Sequence, residues 1–145
     1  MPIPTPVPGL VIRYSYFWHS EFLAGREEGI KDRPCAIIAT VHKSADGETR
    51  VLVLPVTHSA PARGVASIEI PATIKRSLGL DADRSWIVLA EWNEFVWPGP
   101  DLRPVPDTDG DSAYGMLSRA FFARMRDEFV AAVEAGRAHR VPRTE

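Results

Sequence analysis

RPCAIIATVHKSADGETRVLVLPVT, residues 33–57, decides the fold. Two runs rich in β-branched residues, 33–41 and 49–57, flank a polar turn containing Asp46-Gly47. Glycine adopts a positive φ without steric cost, so this pattern predicts a β-hairpin. Partners around such a turn carry numbers summing to about 90 to 93, which brings residue 33 opposite residues 57 to 60. Arg33 and Thr57 are therefore expected as neighbours at the open end of the hairpin, with Pro34 at a first strand position that needs no ladder donor.

Outward from the hairpin, GLVIRYSYF (9–17) reads as a preceding strand, VASIEI (65–70) as a fourth and SWIVLAEW (85–92) as a fifth. Pro71 suits a first helical position, Ile74 and Leu78 share a face, and Gly79 ends a helix of about two turns. From Pro98 to about Ala113 a Pro/Gly/Asp-rich stretch lacks periodicity. Leu117, Phe121, Met125, Phe129 and Val133 then recur every four residues, while Arg119, Arg126, Asp127 and Glu134 fall off that stripe. That pattern predicts a long amphipathic C-terminal helix. The expected fold is mainly β with α: a small, strongly curved antiparallel barrel with a short inserted helix and the terminal helix. It is expected as one domain over 9–145, behind an extended Pro-rich arm over 1–8.

At 145 residues the chain can bury one core without disulfides or metal. Its only cysteine, Cys35, lies within an apolar run, which suits packing and excludes a disulfide framework or a structural zinc cluster. MPIPTPVPGL lacks the pattern of a secretory signal, and no segment approaches the roughly 20 apolar residues of a membrane span. A cytoplasmic, membrane-free protein is expected. The formal charge of -2 argues against gripping nucleic acid by bulk electrostatics, yet the charge is uneven. Residues 1–80 carry nine basic against seven acidic side chains, 81–115 two against eight, and 116–145 six against four. An anionic substrate is expected to meet the first half.

The connection from Trp18 to Asp32 exceeds what a hairpin needs, and long loops are often functional. It carries His19, Ser20, Glu21, Arg26, Glu27, Glu28 and Lys31, and it ends beside Arg33. The third strand stops at Thr57, His58 and Ser59. A guanidinium fork beside a hydroxyl and a histidine suits phosphate, and phosphoryl transfer needs positioning, charge stabilisation and a proton carrier. Polar capping of two strand ends is the competing reading of the same residues.

The order Gly9-Leu10-Val11, Arg33-Pro34-Cys35-Ala36-Ile37, Pro55-Val56-Thr57 and the strand at Ala90-Glu91-Trp92, followed by a terminal helix, resembles the MazF/PemK family of type II toxin-antitoxin toxins. The likeness spans about residues 9–97 plus the last helix. It implies an SH3-like barrel, usually a homodimer, acting as a metal-independent endoribonuclease on single-stranded RNA without any cofactor. The substrate's own 2′-hydroxyl attacks the adjacent phosphorus, giving a 2′,3′-cyclic phosphate and a 5′-hydroxyl end. Arg33 matches the arginine of the family's Arg-Pro and Thr57 the hydroxyl residue of Pro-x-Thr, which makes these two the expected catalytic pair. A cognate antitoxin is the implied protein partner.

Departures from the family pattern widen the candidate set. Both Glu21 and Glu28 compete for the glutamate of the first loop. In AEWNE, Glu91 replaces an aspartate, Trp92 a glutamine and Glu94 a basic residue. Trp92 suits either stacking on an unpaired base or packing, and His58 and His19 suit either proton transfer or a structural hydrogen bond. His19, Glu21, Glu28, Lys31, His58, Ser59, Glu91 and Trp92 thus form the set of possible acid/base or RNA-binding groups, with no metal ligand among them. A CcdB-like, non-enzymatic poison of a DNA topoisomerase and an inert SH3-like binding module are the alternatives.

Overall fold

The computed structural model describes residues 3–25, 31–43, 45 and 47–142. Glu28 and Asp46 lie outside the described residues. The fold is the expected mainly β domain: a curled, half-barrel sheet, antiparallel but for one short pair, with three helices.

Strands β1 (Leu10–Ser15), β2 (Asp32–Lys43) and β3 (Glu48–Thr57) form its centre. The hairpin register has Cys35 opposite Pro55, Ala36 opposite Leu54 and Lys43 opposite Glu48. The ladder ends at the Cys35–Pro55 pair, two residues short of the Arg33 and Thr57 positions that the turn arithmetic brings together. The register shifts between Ile37 and Ala39, a bulge that bends β2 and curls the sheet. Near its end β3 leaves β2, and Val56 and Thr57 pair instead with Ile87 and Trp86.

Several elements depart from the sequence expectation. The long first connection contains a short helix, α1 (His19–Leu23). The fourth strand shrinks to β4 (Ser67–Glu69). Pro71 stands one position earlier than expected, as the N-cap of α2 (Ala72–Ser77), with an extended ψ of 147°. The helix still stops where expected: Gly79 takes φ +68°, and the Gly79 and Leu80 amides donate to the Arg76 and Lys75 carbonyls. The apolar run 85–92 splits into β5 (Trp86–Val88) and β6 (Glu91–Val96), because the Leu89 amide turns to the Ala66 carbonyl. Within the stretch expected as an aperiodic loop, β7 (Ala113–Met116) begins and pairs with β1.

Helix α3 (Arg119–Glu134) follows, its first turn capped by the Ser118 hydroxyl, which accepts from the Phe121 amide. Phe121, Met125, Phe129 and Ala132 are buried, whereas Val133 is 40% exposed. A four-residue repeat gains about 40° per step on a helix of 3.6 residues per turn, so the stripe passes to Ala132. Finally β8 (His139–Arg140) pairs parallel with β6.

Strand alternation divides the apolar residues into two clusters on opposite faces of the sheet. Val11, Ala36, Ile38, Leu54 and Val56 pack with Phe121, Met125 and Phe129 of α3. Ile12, Tyr14, Cys35, Ile37, Val53 and Phe95 form the other cluster, with Tyr14 stacked on Phe95 at 4.5 Å between ring centres. Cys35 is fully buried there. Among the described residues no helix is long and apolar enough to cross a membrane.

Candidate functional site

At the open end of the β2–β3 hairpin, Arg33 is held from two sides. One Nη donates to the Val56 carbonyl at 3.1 Å, and the guanidinium lies 4.9 Å from the centre of the Trp18 ring. Val56 is available because β3 is parting from β2 at that point. Trp18 is in turn braced edge-on by Tyr16, with ring centres 5.1 Å apart. The Nε of Arg33 is buried and has no hydrogen-bond partner. A buried donor without an acceptor is uncommon and costly, which marks a group that an incoming acceptor would satisfy.

Arg33 borders a cavity of about 460 Å³, within the range of small-molecule sites. Lys31, Arg13 and His58 share its wall, so several cationic or proton-carrying groups converge on one space. Lys75 of α2 lines the cavity as well, 4% exposed, and its Nζ donates to Asp81 Oδ1 at 2.7 Å, to Ser85 Oγ at 2.6 Å and to the Asp83 carbonyl. These three bonds use all of an ammonium's donors, so Lys75 is a brace of the 81–85 turn. The other Asp81 oxygen holds His58 Nε2 at 2.8 Å. The Lys75 ammonium keeps the Asp81 carboxyl below its ordinary range, with His58 adding to the effect. Ligand atoms of His58, Asp81 and Asp83 lie within 4.8 Å of one another, but Lys75 already supplies positive charge at that spot.

Thr57 sits beside this cavity without lining it. Its Oγ1 accepts from the Ser59 amide at 3.2 Å, leaving the hydroxyl proton for another acceptor. Asp32 also lines the cavity and pairs with Arg103 at 3.5 Å, and Arg103 in turn reaches Asp101 at 3.8 Å. Glu94 faces Arg50 at 3.5 Å and Arg140 at 4.0 Å and is not a lining residue.

A second polar group lies behind Trp18. Glu91 Oε1 accepts from the His19 amide at 2.9 Å and from the Tyr16 hydroxyl at 3.2 Å. Burial pushes the Glu91 carboxyl above its ordinary value, opposed by those two hydrogen bonds and by nearby His139 and His19. Burial first, and Glu91 second, raise the Tyr16 phenol well above 10.0, so it stays a donor. The His19 ring meets His139 edge-on at 4.6 Å, and its Nδ1 is buried without a partner. Glu21 serves α1 locally, its Oε1 accepting from the Trp18 amide at 3.0 Å. Trp92 packs edge-on against Phe129 at 5.5 Å, which spends it on the core.

The fold therefore gathers Arg33, Lys31 and His58 around one cavity, places Thr57 and Ser59 at its margin, and sets Glu91 and His19 in a separate cluster behind Trp18. Sequence reasoning did not find Arg13, Lys75, Asp81, Asp107, Tyr114 or Tyr16. Only Asp81 carried a usable signal, standing in the turn after Gly79. No protein-family model matches the chain, and no curated protein matches it at a significant level.

Proposed function

We propose that the protein is a MazF/PemK-like toxin that cleaves single-stranded RNA, with Arg33 as its phosphate-binding group. The observation that carries this reading is the state of Arg33: oriented by Trp18 and the Val56 carbonyl, with a buried Nε–H unspent, on the wall of a cavity that also bears Lys31 and Arg13. Preorganised donors aimed at developing phosphoryl charge supply most of what such a transfer demands.

In this reaction the substrate's 2′-oxygen loses its proton and bonds to phosphorus, and the bond to the 5′-oxygen breaks as that oxygen gains a proton. The nucleophile belongs to the RNA. Arg33 neutralises the phosphoryl oxygens, and Thr57 offers its hydroxyl proton to the same phosphate from the margin. His58 carries the proton: Asp81 fixes its Nε2, leaving Nδ1 for exchange with the substrate. A homodimer and an acidic, partly apolar antitoxin segment that covers the cavity at Arg33 and Lys31 complete the proposal.

The test incubates purified protein with a long single-stranded RNA in EDTA, mapping cut sites and end chemistry, with Arg33→Ala alongside. Cuts with 5′-hydroxyl ends that vanish in the variant are the expected result. Intact RNA at a protein level that still arrests growth would overturn the ribonuclease and favour a topoisomerase poison.

A further inference from the structure

Beside Arg33 and Lys31 the cavity wall carries further groups that can do more than hold a phosphate. Arg13 of β1 and Tyr114 of β7 stand there, joined by a 3.1 Å hydrogen bond from Arg13 Nη1 to the Tyr114 hydroxyl. Tyr114 reaches this wall through an irregularity: Val11 pairs with Gly115 and Ile12 with Ala113, so Tyr114 is the extra residue of a β-bulge. Bulges beside functional sites re-aim a side chain.

Asp107 borders the same cavity, and among the described residues it is the one non-glycine residue with a positive φ, 64°. Such a conformation costs energy and persists where surrounding bonds enforce it. Here the Val105 amide donates to the Asp111 carbonyl at 2.7 Å, and Thr108 Oγ1 donates to the Val105 carbonyl at 2.7 Å. Two independent backbone departures thus deliver an aromatic phenol and a carboxylate to one space, next to a guanidinium.

We propose that this end of the cavity is a nucleobase pocket selective for guanine, with Asp107 accepting from N1–H and N2–H and Arg13 donating to O6 and N7. Tyr114 forms the wall against which the base lies. Guanine is the base whose Watson–Crick edge pairs two adjacent donors with a neighbouring acceptor; adenine and cytosine offer a single amino group, and uracil one N–H between two carbonyls. The inference rests on reading Arg33 as the phosphate group, since it places the base of a nucleotide whose phosphate Arg33 holds.

The experiment measures binding of the four nucleoside 3′-monophosphates to the full chain by calorimetry, for wild type, Asp107→Asn and Arg33→Ala. Asparagine also tolerates a positive φ, so that variant removes the charge and keeps the turn. The expected result is at least tenfold tighter binding of the guanosine nucleotide, reduced below about threefold in Asp107→Asn with an unchanged melting temperature. Arg33→Ala weakens all four nucleotides and keeps the guanine preference. Equal affinities, no binding, or a preference that survives Asp107→Asn overturns the pocket. Selective binding by a protein that leaves RNA intact would uphold the pocket and remove the ribonuclease, so the two failures are separable.

Discussion

Arg33 and Trp18 form a stacked pair, guanidinium over indole at 4.9 Å, in which the ring sets the direction of the charge. A planar cation on an aromatic face is worth about 0.5–1 kcal/mol at an accessible site, and it also narrows the rotamers of a long side chain. The pair explains how an arginine at a strand threshold is kept from folding back into solvent.

Trp18→Leu is expected to lower RNA cleavage by between about 5- and 100-fold, the upper figure arising from displacement of Arg33. Trp18→Phe keeps an aromatic face and loses less. Single-turnover cleavage with parallel thermal melts separates the positioning loss from any loss of fold.

Glu91 gives a pH signature of defined sign. Its carboxyl is raised above 4.5 by burial, so the folded chain binds its proton more tightly than the unfolded chain. This contribution is fully present below about 4.5 and is lost as pH rises through the raised folded value. Glu91→Gln, which still accepts from His19 and Tyr16, removes it. Urea midpoints measured from pH 4 to 7 fall with pH more steeply in the wild type than in the variant.

Lys75→Met takes the ammonium donor from the Asp83 carbonyl, the Ser85 hydroxyl and Asp81 Oδ1, which keeps only the Asp83 amide. A loss of about 2 kcal/mol is expected, at the low end for a broken buried pair because Asp81 is half exposed. Adding Asp81→Asn recovers part of it, since the uncompensated charge is then gone. Chemical denaturation of the single and double variants measures both effects.

Ser118→Ala removes the cap of α3 and costs about 1 kcal/mol. Cleavage by the folded variant stays at the wild-type rate, because Ser118 lies outside the cavity. Helix stability and RNA turnover are read from the same preparation.

The parts legible in the sequence were those that local rules determine. The register across Cys35 and Pro55 followed from the turn, and the buried stripe through Phe121, Met125 and Phe129 followed from helical period. Lys75 was illegible because a lysine on a short helix ordinarily faces water; only the carbonyl and hydroxyl of the 81–85 turn, brought over it by tertiary folding, make burial tolerable. Tyr114 lay in a stretch with no period, and its direction depends on a bulge opposite β1, a pairing between distant segments. The break at Leu89 was hidden for a related reason: its amide finds Ala66, far away in sequence, so an unbroken apolar run becomes two strands. The meeting of Arg33 and His58 was expected from the hairpin register, whereas the cavity they share with Arg13 and Tyr114 depends on how the sheet curls.

The hydrogen bond between Arg13 and Tyr114 joins residues 101 positions apart. During synthesis, then, an emerging chain carries Arg33 and Trp18 early but lacks the Tyr114 side of the cavity until β7 has been made. Fragments ending before Ala113 hold Arg33 without Tyr114 and its side of the cavity. On the proposed ribonuclease reading, a partly made chain holds its phosphate contact before it holds a complete nucleotide site, so activity waits for β7 to join β1.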